Sequence, residues 1–306
     1  MLHWLRLVRL PNLATAAADS LAGFLVCAGL TVVDWPPPAC WLAVLASLGF
    51  YAAGMVLNDV YDLAIDRVER PERPLPSGTI AVGHAARVGN LLMASGAAAA
   101  CGAAWMANTP WPAFVGAALT MNVWLYDRHA KRTATGPTVM GACRGLNWLL
   151  GMTAAGGPSE PHEWLIPLGM AAYVAGITCY ARDEAGRSRT AILGAGVVLM
   201  LAGLAVAAGY VWLPLREGSG LPVTRIPAVT WLTLWGILSG SVVARALIGI
   251  ADPSPGRVRA AVGNAIMSII TFDAVLVLAA CGEAWAVIVL LLLAFFLLGR
   301  RVVSPT

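Results

Sequence analysis

The chain has 306 residues, of which 59% are hydrophobic and only 12% charged, and its formal net charge is +4. Soluble globular domains carry about 25% charged residues, so this chain has too little polar surface to face water on all sides, and a soluble domain is excluded. The positive charge is spread over several loops, which gives no reason to expect nucleic acid, and the six cysteines (Cys27, Cys40, Cys101, Cys143, Cys179 and Cys281) form neither a CxxC pair nor a Cys/His cluster that would indicate a disulfide framework or a zinc site.

The first polar stretch is "RLVRLPN", Arg6 to Asn12. Its arginines precede an apolar run that leads straight into the next hydrophobic hairpin, so no cleavable signal peptide is expected. Apolar runs between polar or Pro/Gly breaks then predict spans near 13–31, 40–58, 84–107, 110–126, 136–155, 163–181, 190–213, 227–250, 262–281 and 284–299. Each approaches the roughly 20 residues that a helix needs to cross a bilayer. The expected fold is all-α: a polytopic transmembrane bundle of nine or ten helices, one domain over residues 1–306. The turn Gly282–Glu283–Ala284 is very short for a membrane hairpin and is what leaves nine helices open.

Arginine and lysine are unequally shared between the loops. Arg6, Arg9, Arg67, Arg70, Arg73, Arg87, Arg128, Lys131, Arg132, Arg182, Arg187, Arg189, Arg257, Arg259, Arg300 and Arg301 fall on one side, and Arg216 and Arg225 on the other. The positive-inside rule makes the first side cytoplasmic. That places loops 58–83, 127–135 and 179–190 on the cytoplasmic face of what is expected to be a bacterial inner membrane. Tryptophans near span ends, such as Trp35, Trp41, Trp111 and Trp164, read as interface anchors.

The second span ends in "LNDVYDLAIDRVERPERPLPSG", Leu57 to Gly78. Asp59, Asp62 and Asp66 stand at i, i+3 and i+7 and are expected on one helical face, with Asn58 one turn before Asp62. Three carboxylates so close repel one another unless a hard cation sits among them. Magnesium takes oxygen ligands, keeps several waters and bridges carboxylates to phosphates. Arg70 and Arg73 suit the phosphate itself through bidentate contacts, and Pro71, Pro74 and Pro76 stop the helix and stiffen the loop. The bland alternative is a solvated loop of mixed charge.

Further along, "YDRHAKRT" (Tyr126 to Thr133) closes the fourth span, and "GPTVMGACRGLNWLLG" (Gly136 to Gly151) places Arg144 and Asn147 one turn apart on the fifth. Both are expected to face a cavity, because a charge inside the membrane is costly and marks function. Asp19, Asn122, Arg245, Asn264 and Asp273 are also intramembrane polar residues. For Asp19 and Asp273, structural pairing with an arginine is an equal alternative. The sixth span ends in "TCYARDEAGRSRT", Thr178 to Thr190.

The string "NDVYDLAID" followed by "RPLPSG" resembles the first aspartate-rich motif of the UbiA superfamily of intramembrane prenyltransferases, N-D-x-x-D-x-x-x-D. "YDRHAKRT" is similar to that family's Tyr-x-x-x-x-Lys segment, and "RLVRLPN" to its Arg-Pro-x-Asn start, with Leu10 interrupting the Arg–Pro pair. The second acidic motif of the family, D-x-x-x-D, is altered: Cys179 stands at its first aspartate, Asp183 matches the second, and Arg187 replaces a later acid. Residues 136–151 and this alteration look most like the EboC branch.

The resemblance implies magnesium-dependent transfer of a prenyl group from a prenyl diphosphate to a small polar or aromatic acceptor, with release of pyrophosphate. It implies Asn58, Asp59, Asp62, Asp66 and Asp183 as metal ligands and Lys131 as a diphosphate contact. Asn12, Arg70, Arg73, Tyr126, Arg144, Asn147, Arg182, Glu184 and Arg187 become candidates for substrate binding, with Arg182 or Arg187 supplying charge that the altered motif lacks. Membrane lipid is the expected surrounding. The alternative is a non-catalytic lipid-binding or transport protein on the same bundle. A phosphatidyl-alcohol transferase would want a D-G-x-x-A-R string, which is absent.

Overall fold

The structure is a computed structural model that describes residues 2–31, 34–184, 186–217 and 224–303; Ala185, inside the third predicted loop, lies outside the described residues. These residues form twelve α-helices and no strand: α1 (Leu2–Leu7), α2 (Leu10–Ala28), α3 (Pro38–Tyr61), α4 (Leu63–Glu69), α5 (Val82–Met106), α6 (Trp111–Leu125), α7 (Gly136–Ala154), α8 (Leu165–Tyr180), α9 (Thr190–Glu217), α10 (Ala228–Ala251), α11 (Pro255–Cys281) and α12 (Glu283–Val302). Ten of them match the ten predicted spans. Seven (α2, α3, α5 and α9 to α12) are long and apolar enough to cross a membrane by length and composition. The remaining three, α6, α7 and α8, have 15, 19 and 16 residues. The chain is an integral membrane protein.

Local chemistry sets the ends. Proline opens α2, α3, α6, α7 and α11 within the first two positions, where its missing N–H has no intrahelical partner to lose. The first span sits three residues earlier than predicted, because Pro11 belongs inside α2 and Gly29, in the left-handed region at φ 56°, ends it. The short turn before the last helix is real: Gly282 alone, at φ 87°, reverses α11 into α12. A residue with a Cβ is strained at that φ.

Neighbouring helices pack in the ring order α2, α3, α5, α6, α7, α8, α9, α10, α11 and back to α2, with α12 against α11 and α2. Across this ring α2 and α7 are in direct contact and divide it in two. They approach so closely that a Cβ on Gly151 would lie 1.9 Å from the Ser20 carbonyl oxygen, and one on Gly23 would lie 2.4 Å from that of Trp148. Gly169 and Gly203 give α8 and α9 the same intimacy. Small residues at helix crossings replace the hydrophobic drive that lipid removes. Large side chains such as Leu91, Phe114, Leu168, Ile237 and Phe295 point outward and are exposed on the apolar perimeter.

The smaller half of the ring holds an open cavity of about 100 Å³ between α2, α3, α6 and α7. Trp35, Trp41, Trp111 and Trp164 lie at the starts of α3, α6 and α8, at the far end from the charged loops. Those loops meet over the cavity mouth. Lys131 after α6 bonds to Asp62 after α3, Arg182 after α8 donates to the Thr133 carbonyl at 3.4 Å, and the Ser188 N–H donates to the Pro253 carbonyl at 3.2 Å.

Candidate active site

The aspartate-rich segment is not one straight helix. α3 stops at Tyr61 and α4 starts at Leu63, and Asp62 is the joint between them. Its N–H still donates to the Asn58 carbonyl at 2.9 Å, and its own carbonyl accepts from both Ile65 and Asp66 at 2.9 Å. The three carboxylates divide between two groups of cations. Asp59 and Asp66 turn to the same guanidinium, with Arg73 Nη1 at 3.6 Å from Asp59 and 2.8 Å from Asp66. Asp62 turns the other way, to Lys131, and Arg132 Nη2 is 3.2 Å from its other oxygen. Lys131 Nζ also donates to Asn58 Oδ1.

Asn58, Asp59, Asp66 and Arg73 are buried. A loop arginine this deep, locked on two carboxylates, explains why the proline-rich segment after α4 folds back on the helix end. A fourth cation comes from the stretch that resembles the family's Arg-Pro-x-Asn start, where sequence alone assigns Arg9 no role in the site. Arg9, the residue before α2, has φ 50° and ψ 56°, a left-handed conformation uncommon outside glycine. Its guanidinium reaches within 3.7 Å of Asp59. Strained backbone of this kind concentrates at functional sites. Asn12 lies one turn on, half-buried, its N–H donating to the Arg9 carbonyl at 2.9 Å.

Lys131 is aimed by an irregular element. After α6 the chain makes a π-helical turn over Tyr126–Ala130, a wide turn that recurs at functional sites. The turn puts Tyr126 and Asp127 against the cavity and throws Lys131 across to α3. Asp127 is buried, and its Oδ2 finds no hydrogen-bond donor among the described residues. Burial pushes its carboxyl up to about 7, Lys131 opposes that rise and Asp62 adds to it. Asp127 carries no motif signal that would have assigned it a role from the sequence. Its only signal was its place next to Tyr126.

Deeper in the cavity wall, Arg144 and Asn147 of α7 meet α2. Arg144 pairs with Asp19 and donates to the Thr15 carbonyl at 3.1 Å and the Thr15 hydroxyl at 3.2 Å. Asn147 donates to Asp19 Oδ2 and to the Ala16 carbonyl, each at 2.9 Å. Asp19 is fully buried. Asp273 of α11, also fully buried, lies beside Asp19 and Trp148 without hydrogen-bond geometry to a donor. Both expected cavity residues do line the cavity, and Asp19 takes its structural alternative.

The altered second motif is only partly turned to the site. Asp183 pairs with Arg189 of its own loop at 3.2 Å. The Cys179 thiol leans toward the Ile192 carbonyl of α9 at 3.9 Å. Arg187 is exposed, and among the described residues no ion pair or hydrogen bond ties it to the site. Glu184 is half-buried near several arginines: burial raises its carboxyl, and Arg70, Arg259 and Arg9 pull it down again. So Glu184 and Arg70 join the site, Arg182 reaches only the Thr133 carbonyl, and Asp183 and Arg187 do not converge on it.

The donor set is oxygen only: Asn58, Asp59, Asp62 and Asp66. Among the described residues no three Asp, Glu, His or Cys side chains converge to enclose a metal by themselves, and each carboxylate already meets a cation. Asp59 Oδ1 nevertheless lacks a hydrogen-bond partner. An incomplete shell of hard oxygens fits magnesium, which completes its six ligands with water and phosphate.

The UbiA prenyltransferase family model matches residues 20–262. A 94-residue stretch is 37% identical to a digeranylgeranylglyceryl phosphate synthase of Sulfolobus acidocaldarius, covering 30% of this chain and 32% of that protein; the chain thus spans about a third of the length of the curated relatives it matches. A solved digeranylgeranylglyceryl phosphate synthase superposes with a TM-score of 0.65 at 19% identity over 92% of this chain and 98% of that one. A UbiA homologue from Archaeoglobus fulgidus, bound to GPP and Mg2+, superposes with a TM-score of 0.59 at 15% identity, covering 99% of each chain.

Proposed function

The chain belongs to the UbiA prenyltransferase family, and on that premise we propose that it transfers a prenyl group from a prenyl diphosphate to a small polar or aromatic acceptor within the membrane, releasing pyrophosphate, with magnesium as cofactor. The observation that carries this reading is the bond of Lys131 to both Asn58 and Asp62 over the cavity mouth. It joins the carboxylate set of α3 to a cation from the turn after α6, which also carries the cavity-lining Tyr126 and Asp127, so an anionic head and an apolar tail would find matching surroundings side by side.

Asn58, Asp59, Asp62 and Asp66 would hold the metal, which when bound supplies positive charge to the departing diphosphate. The protein cations do the rest. Without substrate, Arg9, Arg73, Lys131 and Arg132 neutralise the three carboxylates. In the loaded site Lys131, Arg73 and Arg70 would give their hydrogen bonds to phosphate oxygens. Fixed cations in a dry setting stabilise charge developing on a leaving group without reorganising. Glu184 would stand at the edge of this cationic set, near Arg70 and Arg9.

The prenyl tail would lie in the cavity, whose walls include Phe50, Met55, Leu119, Val123, Met140 and Val174. An apolar wall with few polar groups suits such a ligand and keeps water from the allylic carbon. The charged loops would face the cytoplasm of a bacterial inner membrane, as the excess of arginine on that side supports. The test is incubation of the purified protein with labelled prenyl diphosphates of several lengths, with and without magnesium, and with candidate acceptors. A lipid product that needs magnesium is expected. Binding of prenyl diphosphate without any turnover would favour the non-catalytic lipid-binding alternative.

A further inference from the structure

Two charged side chains line the cavity, Arg144 and Asp127. They are not equivalent. Arg144 is already answered: Asp19 takes its charge and Thr15 accepts from both terminal nitrogens. Asp127 is buried at 9% exposure, and its Oδ2 meets no donor among the described residues. A buried carboxylate oxygen without a partner carries a desolvation cost that a bound donor would relieve. The π turn that places it also places Lys131 on Asn58 and Asp62, so one element spans the diphosphate side and the cavity side of the site. The groups around Asp127 are Lys131 from its own segment, Asp59 and Asp62 from the α3 end, and Arg9 from before α2.

We propose that Asp127 is the acceptor-side catalytic residue: its free Oδ2 accepts the hydrogen bond, and then the proton, of a hydroxyl group on an uncharged acceptor held in the cavity. This rests on the transferase reading above. The bond between the prenyl C1 and the diphosphate oxygen breaks, and its electron pair leaves with pyrophosphate. A lone pair of the acceptor oxygen forms the new C–O bond. The O–H proton passes to Asp127, whose carboxylic acid returns it to water after product leaves. An anionic acceptor would meet the Asp127 carboxylate with no unpaired cation beside it among the described residues, since Arg144 is held by Asp19, Lys131 by Asp62 and Arg9 by Asp59. Selection for an uncharged hydroxyl compound follows from the same residues.

The test uses the full-length protein in detergent, tritiated geranylgeranyl diphosphate, magnesium and a small-molecule extract of the source cells. The labelled product is examined by anion exchange and for an ether linkage. Geranyl S-thiolodiphosphate, which does not ionise readily, reports binding on the donor side. The expected result is an uncharged, ether-linked product whose formation falls about 100-fold or more in Asp127→Asn, while the Kd for the thiolo analogue changes less than about threefold. Asp127→Glu should recover part of the transfer. An anionic product, transfer in Asp127→Asn within about threefold of wild type, or equal losses of transfer and analogue binding would each overturn the proposal. A wild-type protein that does not bind the analogue would instead overturn the transferase reading on which it stands. Binding and transfer with a carbon–carbon linked product would sink the Asp127 role and leave that reading intact.

Discussion

Lys131 Nζ donates to Asp62 Oδ2, a residue 69 positions earlier in the chain, and Asn58 Oδ1 accepts from the same ammonium. Each partner is only partly exposed, at 24% and 14% of its side chain. If Asp62 is a metal ligand, Asp62→Ala should abolish magnesium-dependent turnover while the protein still inserts and elutes as the wild type does. Excess chelator should do the same to the wild type. Ordinary turnover in either experiment would remove the metal from this site.

Lys131→Met separates the other half of the relationship. The ammonium would hold phosphate through charge-assisted bonds, each worth about 1.5–3 kcal/mol. The KM for prenyl diphosphate should rise about 10- to 100-fold, with the acceptor KM nearly unchanged. A variant whose two KM values rise together would show that Lys131 mainly holds Asp62 and the cavity shape.

Most of the bundle was readable in the sequence because membrane spans are local: an apolar run and its Pro or Gly ends lie within some 25 residues, and the ten runs became ten helices. The site was readable where it, too, is contiguous. Asn58 to Asp66 announced itself, and Lys131 followed from a segment that resembles a known one. What stayed hidden depends on helices meeting. Nothing near Arg9 in sequence says that a left-handed residue before α2 will aim it at Asp59. The helix joint at Asp62, which splits the three carboxylates between Arg73 and Lys131, is set by tertiary partners and not by periodicity. The same holds for Arg187, whose position in an aligned motif suggested a role that its exposed place in the loop does not support.

Arg144 and Asp19 provide a stability test that is independent of chemistry. Arg144→Met leaves Asp19 and Asp273 buried together with no guanidinium between α2 and α7. Removing one partner of a buried ion pair costs about 3–5 kcal/mol, so the unfolding midpoint in detergent should fall clearly. Adding Asp19→Asn should restore part of the loss, because replacing both charges is often nearly neutral. A single variant as stable as the wild type would mean that the pair is solvated in the native protein.

The side of the membrane can be read with one cysteine. Gly78 has φ 74°, so a substitution there would strain the loop, and the exposed Thr79 next to it is the better probe. Thr79→Cys should resist a membrane-impermeant maleimide in intact cells and react after permeabilisation. Efficient labelling from outside would invert the proposed topology and put the charged loops on the outer face.

The altered second motif yields the last expectation. A two-motif site would bring acids from the ends of both α3 and α8 to the metal. Here Cys179 has turned to the Ile192 carbonyl, Asp183 is held by Arg189, and Glu184 alone is pulled in among Arg70, Arg259 and Arg9. Losing Glu184 would remove a half-buried carboxylate from among those arginines. Losing Asp183 would free Arg189, which is exposed. If Glu184 stands in for the missing aspartate, Glu184→Ala should raise the prenyl diphosphate KM more than Asp183→Ala does. Arg187→Asp should shift neither the magnesium concentration for half-maximal rate nor that KM. Parallel magnesium titrations of the three variants decide the matter: if Arg187→Asp lowers the magnesium requirement while Glu184→Ala leaves the KM alone, the loop closes over the substrate with a different residue facing inward, and Glu184 is not the acid that replaced the missing aspartate.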